Sequence, residues 1–287
     1  MKNYNYYLYA VHICIVYKIQ IIFFYICKMQ MHKFFFKKKF DQFFLKDQNI
    51  ARKIVNHLSF QNYNTVVEVG PGLGILTQYL LKNPCNHVFL IEIDKELIFF
   101  LKKTFPNCEN RIIHRDFLKW NPEEFKLQNF AIIGNFPYNI SSQILFHILK
   151  YNQYIPECIG MFQKEVAKRI TSHHNKKTYG ILSVLVQAFY DVKYLFTVKE
   201  KVFYPIPNVQ SGVLYLKRKN ATIYCNRNML FQCVKTAFNQ RRKKLKNSLQ
   251  LFKNIPNFHT IPFLNKRAEE LSIKEFLQLT KEIEIRK

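Results

Sequence analysis

The sequence predicts an α/β fold: a parallel sheet closed by an antiparallel hairpin, seven strands in all, with a small all-helical part at the C-terminus. Three observations carry this. Short apolar and β-branched runs alternate with helical patterns between Thr65 and Phe162, as parallel strands joined by crossover helices do. Two later runs, 192–198 and 213–216, flank Phe203-Tyr204-Pro205-Ile206-Pro207 and suit a hairpin. Beyond Lys219 the apolar spacing turns helical.

Residues 1–30 stand apart. Leu8 to Cys27 is mostly apolar, but His12, Lys18 and Gln20 interrupt it, and a lysine in mid-run is costly in hydrocarbon. No small-residue cleavage site follows. The segment is expected to be a mis-called start or a disordered extension, with Met29 or Met31 as the initiator. Residues 32–40 are basic and aromatic, and serve either as a phosphate-contacting arm or as a solvated tail. Ile50, Ile54, Val55 and Leu58 then fall at helical spacing.

The first strand, Thr65-Val66-Val67-Glu68-Val69, runs into glycines at alternate positions, Gly70, Gly72 and Gly74. Glycines let a backbone turn sharply and approach a ligand closely. The spacing is neither that of a dinucleotide loop nor that of an ATP P-loop. A second strand, 88–91, ends in Glu92, which lies 22 residues after Gly70. An acidic residue there can bind both hydroxyls of a ribose. A third strand, 111–114, ends in Arg115-Asp116, and Asp116 can accept from an adenine amino group. Singly, each carboxylate reads as a helix cap; together, three successive strand ends carry what a nucleoside needs.

The fourth strand, 130–133, leads into Asn135-Phe136-Pro137-Tyr138 and then a helix opened by Ser141. Alone, this tetrapeptide is an ordinary strand-to-helix turn. Beside a nucleoside site it suits the grip of a planar amino group on a base. The Asn135 side-chain oxygen and the Phe136 carbonyl are acceptors, Pro137 stiffens the turn, and Tyr138 offers a stacking face. A fifth strand, 158–162, and a helix from Gly180 to Tyr190 follow.

Lys and Arg number 44 against 19 Asp and Glu, a net charge of +25, which points to a polyanionic partner. The 28 Phe and 17 Tyr beside only 7 Gly suggest an AT-rich genome, which raises Lys without any binding role. Drift does not explain clustering, and between Lys235 and Lys253 there are seven basic residues and no acid. Seven scattered cysteines, none in a C-x-x-C pair, argue against a metal site or a disulfide framework and for a reducing cytoplasm.

These motifs resemble the small-subunit ribosomal RNA adenine dimethyltransferases of the KsgA type, from about Lys39 to the C-terminus. The resemblance rests on the glycine loop, Glu92-Ile93-Asp94, Asp116, Asn135 to Ser141, the 203–207 segment and, most specifically, Ala237 to Leu249. It implies a Rossmann-like class I methyltransferase sheet over residues 31–219 and a helical RNA-binding domain over 220–287. It implies an S-adenosylmethionine site at Leu45, Gly70, Gly72, Gly74, Glu92, Asp116 and Asn135, with Asn135, Pro137 and Tyr138 at the reacting base. RNA would meet Phe203 opposite Tyr138, and Arg241, Arg242, Lys243 and Lys244. The chain departs from the family pattern at Phe43, where Asn is usual, and at Gln210, where Asp is common.

The implied reaction is methyl transfer to N6 of two adjacent adenosines in a hairpin loop near the 3′ end of small-subunit RNA. The expected setting is a pre-30S particle in the cytoplasm, with the protein a monomer needing neither metal nor membrane. Two alternatives are a large-subunit RNA methyltransferase of the macrolide-resistance type and a non-catalytic assembly factor. The C-terminal basic signature opposes the first, and the intact glycine loop and Asn135–Tyr138 turn oppose the second. Dinucleotide binding is disfavoured by the glycine spacing.

Overall fold

The computed structural model describes residues 42–83, 87–220 and 223–287. The apolar stretch and the basic run that precede Gln42 lie outside them.

A short strand, β1 (Phe44–Leu45), precedes helix α1 (Gln48–Val55). Asp47 starts α1 by accepting from the amides of Asn49 and Ile50 at 2.9 and 3.0 Å, a side-chain N-cap. The chain then alternates through β2 (Thr65–Val69), α2 (Thr77–Leu80), β3 (His87–Glu92), α3 (Lys95–Thr104) and β4 (Ile112–His114). It continues through β5 (Phe130–Asn135), α4 (Ser141–Lys150), β6 (Glu157–Gln163), α5 (Lys164–Ile170) and α6 (Ile181–Phe189). The apolar runs become strands covered on both faces: Phe130 to Ile133 are fully buried, as strands of a helix-flanked parallel sheet must be. Helix α2 is a single turn, and the chain around Gly74 before it is a turn.

Two long strands, β7 (Tyr190–Val198) and β9 (Ser211–Arg218), close the sheet, with a two-residue strand β8 (Phe203–Tyr204) between them in sequence. The seven-stranded order is β4-β3-β2-β5-β6-β9-β7. Neighbours from β4 to β6 are parallel, and β9 is antiparallel to both β6 and β7. The expected hairpin is therefore present, with the last strand slotted inside the edge. β8 pairs instead with β1, a two-strand clasp the sequence did not announce.

From β2 the chain first builds outward through β3 and β4, then crosses to the other side of β2 with β5. That reversal opens a crevice at the carboxyl ends of β2 and β5, where ligands bind in open α/β sheets. The glycine loop follows β2 and Asn135 ends β5, so topology alone brings the two together.

Beyond β9 the described chain is helical: α7 (Arg227–Asn239), α8 (Leu245–Ser248) and α9 (Ile273–Arg286). Ser272 and Glu275 cap α9 reciprocally. Leu230, Cys233, Val234 and Ala237 of α7 are buried in one apolar cluster with Phe276, Leu279 and Ile283 of α9 and with α6. The basic block does not ride a continuous helix, as its sequence suggests. Helix α7 stops at Asn239, and the Lys243 amide bonds back to the Gln240 carbonyl at 2.8 Å. Lys244 then bridges to Arg267, which turns Arg241 to Lys244 into a loop. Among the described residues no helix is long and apolar enough to cross a membrane.

Candidate active site

Gly70, Gly72 and Gly74 have φ of 64, 57 and 77°, a region costly for any residue with a Cβ. A Cβ built on Gly70 would meet no atom within 4 Å, so open space lies over the loop. One on Gly72 would touch the Phe44 ring at 3.0 Å, so the β1 segment packs directly on this glycine.

Glu92 stands at the end of β3 facing this loop. Its Oε1 accepts from the amides of Ile93 and Asp94 at 2.8 and 3.0 Å, and its Oε2 from Gly72 at 3.4 Å. Burial raises its pKa, while those three amides pull it down. The Arg115 amide bonds to the Glu92 carbonyl at 3.1 Å, which ties the end of β4, and Asp116 after it, to β3. Asp116 is half-buried and accepts from the Leu118 amide at 2.9 Å, so it also caps a short helical turn.

Beneath the loop lies a carboxyl that motif reading did not single out. Glu68 in β2 is buried and accepts from Thr77 Oγ1 at 2.6 Å. Burial pushes its pKa up from 4.5 to about 8, and the Glu92 charge adds to the rise. Between those two values the folded state holds a proton that the unfolded chain has released. Stability from Glu68 is thus full below pH 4.5 and is lost as pH rises through about 8. The expected slope is roughly 1.4 kcal/mol per pH unit. Glu68→Gln should flatten it, as read by urea unfolding across that window. Equal slopes in the two proteins would show that Glu68 does not titrate this way.

The Asn135 turn is pinned from below by its own phenylalanine. Phe136 is buried, its amide bonds to the Met161 carbonyl at 3.2 Å, and its ring lies across two glycines on adjacent strands. A Cβ on Gly134 would come within 2.7 Å of that ring, and one on Gly160 within 2.2 Å. The missing side chains are what let the turn sit this low. Ser141 Oγ donates to the Pro137 carbonyl at 3.0 Å, which closes the turn against α4.

Asn135 Nδ2 donates to the Phe43 carbonyl at 2.7 Å, which directs Oδ1 the other way. The Tyr138 hydroxyl and Ser211 Oγ share a hydrogen bond at 2.6 Å, so the first residue of β9 fixes that ring. Phe43 stacks on Tyr138, with ring centroids 5.3 Å apart and planes 29° apart. Phe203, expected in that place, is fully buried, and its backbone is paired with Leu45 in the β1–β8 clasp. Phe43 therefore stands in stacking contact with Tyr138 in this structure. The local sequence favours this because Phe44 and Leu45 are buried beside the clasp, leaving the half-buried Phe43 toward the turn.

Gln210 also finds an account. Its side-chain oxygen accepts from the Lys164 ammonium at 2.7 Å, a charge-assisted bond that keeps β6 and β9 in register where a carboxylate would form an ion pair. Of the four basic loop residues, Arg241 is already engaged: it pairs with Glu269 and donates to the Lys176 carbonyl at 3.3 Å. Arg242, Lys243 and Lys244 are exposed. The Lys176 contact draws up the exposed loop His173-His174-Asn175-Lys176-Lys177 beside them. Among the described residues no group of three or more His, Cys, Asp or Glu is placed to hold a metal.

The family model for ribosomal RNA adenine dimethylases matches residues 33–284. The small-subunit ribosomal RNA methyltransferase A of Cytophaga hutchinsonii is 52% identical over 253 residues, covering 87% of this chain and 98% of that protein. Its counterpart in Flavobacterium johnsoniae is 50% identical, covering 88% and 98%. A crystal structure of a dimethyladenosine transferase from Plasmodium falciparum superposes with a TM-score of 0.71 at 25% identity, covering 84% of this chain and 98% of that one. The 23S rRNA methyltransferase ErmE shares the fold, with a TM-score of 0.64 at 22% identity over 84% and 99%.

Proposed function

The chain belongs to the ribosomal RNA adenine dimethylase family, and we propose that it dimethylates N6 of two adjacent adenosines in a hairpin loop near the 3′ end of small-subunit ribosomal RNA. It is an S-adenosylmethionine-dependent enzyme. The substrate in this reading is a pre-30S particle, and the protein works as a cytoplasmic monomer. One observation carries the assignment of the site: the glycine loop and the Asn135–Tyr138 turn meet at the switch point of the sheet.

The residues present fit the cofactor. The space over Gly70 accepts a nucleoside moiety, the Glu92 carboxylate matches two ribose hydroxyls, and Asp116 suits an adenine amino group. Leu45, Gly72, Gly74 and Asn135 complete the lining in this reading. S-adenosylmethionine, when bound, supplies an electrophilic methyl on a sulfonium.

What remains for the protein is the acceptor. N6 of adenosine is a poor nucleophile because its lone pair is delocalised into the ring. Asn135 Oδ1 and the Phe136 carbonyl accept its two N–H groups and favour a pyramidal, more nucleophilic nitrogen. Pro137 holds the two acceptors in one geometry, and Tyr138 stacks on the extruded base. Such positioning lowers a barrier by as much as roughly 7–11 kcal/mol, with no covalent enzyme intermediate.

The test is mass mapping after incubation with S-adenosylmethionine and particles lacking the modification. Two adjacent N6,N6-dimethyladenosines in small-subunit RNA support the reading. Methylation confined to large-subunit RNA, or none, refutes it. Glu92→Ala should weaken S-adenosylmethionine binding by about 1.5–3 kcal/mol, the scale of hydrogen bonds to a charged group. Calorimetry showing unchanged cofactor affinity would remove Glu92 from the site.

A further inference from the structure

We propose that the Phe43 side chain is a placeholder for the target base: its ring holds the stacking face of Tyr138 in the resting enzyme and rotates out when the adenosine enters. The proposal rests on the reading of Tyr138 as the platform for that base.

Two contacts make the case. The rings of Phe43 and Tyr138 are stacked at 5.3 Å, which leaves no room for a base between them. The main chain of the same residue takes the Asn135 amide hydrogen at 2.7 Å. One residue thus engages both halves of the proposed grip by different means, the stacking face through its side chain and the amino-group acceptor through its backbone.

The backbone there is anchored. Phe44 packs on Gly72, Phe44 and Leu45 pair with Tyr204 and Phe203, and the Lys46 amide bonds to the Val202 carbonyl at 2.8 Å. The 43 carbonyl can stay on Asn135 while the ring moves by side-chain rotation alone. Asn135 then keeps Oδ1 toward an incoming amino group throughout. A flat apolar ring suits the resting role, since it covers the Tyr138 face without offering a hydrogen bond to Asn135.

A placeholder imposes a cost on entry equal to the stack it breaks, a factor of about 2–10 in the equilibrium for base capture. Removing the ring should remove that factor. The experiment compares kcat/KM for small-subunit particles at saturating S-adenosylmethionine in the unchanged chain and in Phe43→Ala, Phe43→Leu and Phe43→Trp. Ala and Leu should raise kcat/KM by about 2–10-fold, and Trp, with a larger stacking face, should lower it. The salt dependence of particle binding should be the same in all four, because no phosphate contact changes.

A merely structural Phe43 would lower kcat/KM in every variant, and a ring that walls the bound base would do so for Ala and Leu; either result overturns the proposal. Leu keeps most of the apolar bulk, so the comparison with Trp stands if Ala fails to fold. No methylation by the unchanged chain would instead overturn the reading of function itself. Methylation by the unchanged chain without a gain in Leu overturns only the placeholder.

Discussion

Asn135→Ala is expected to lower kcat for adenosine methylation by about 10²–10³-fold, the effect of losing one preorganised hydrogen-bond partner that acts on charge developing in the transition state. The loss follows from geometry. Asn135 ends β5 beside the glycine loop, its amide is fixed by the Phe43 carbonyl at 2.7 Å, and the turn below it is wedged by Phe136 over Gly134 and Gly160. Nothing nearby needs to move for the acceptor to disappear. Particle affinity should stay close to that of the unchanged chain, since phosphate contacts dominate it. Asn135→Asp separates two explanations. Aspartate keeps acceptors for the amino group but cannot donate to the Phe43 carbonyl. If acceptors alone mattered, Asp would retain most of the rate; if the amide must be oriented by that carbonyl, Asp should fall well below the unchanged chain. Single-turnover methylation with saturating S-adenosylmethionine reads both. Asn135→Ala running at full rate would refute the amino-group grip.

Much of this site was legible because its residues sit at strand ends that the sequence marks. Glu92 closes an apolar run, Asn135 closes another, and three alternate glycines can follow a strand for few other reasons. Order along the chain and the switch-point rule then place them together without any knowledge of contacts. What stayed hidden depends on distant pairing. Ser211 reaches Tyr138 across 73 residues, and nothing local to a serine at the start of a strand signals it. The β1–β8 clasp joins segments about 160 residues apart through two residues on each strand, too short for any period to register. That clasp buries Phe203 and leaves Phe43 stacked on Tyr138, a contact that no local pattern signals. Glu68 was visible as a residue but not as a titrating group, because its raised pKa comes from burial under the loop it precedes. The basic block was legible in composition and not in shape: the end of α7 at Asn239, the Lys243–Gln240 turn and the Lys244–Arg267 bridge make it a loop.

That loop sets the other large expected effect. Replacing Arg242, Lys243 and Lys244 together with Gln should weaken particle binding by about 10²-fold at 0.1 M salt and reduce the slope of log K against log salt by about 2, the release of three counterions at single-stranded values. The choice of three follows from the structure. Arg241 already spends its charge on Glu269 and a further N–H on the Lys176 carbonyl, so it positions the exposed 173–177 loop beside the basic turn. Arg241→Gln should therefore leave the slope nearly unchanged for its own charge and act by loosening that loop. Cofactor affinity should persist in both proteins, since neither change touches the glycine loop or Glu92. Filter binding across a salt series, with calorimetry for the cofactor, separates the cases. A triple variant with an unaltered slope would show the turn to be a solvated surface, and a slope lost on changing Arg241 alone would show that its charge reaches RNA despite Glu269.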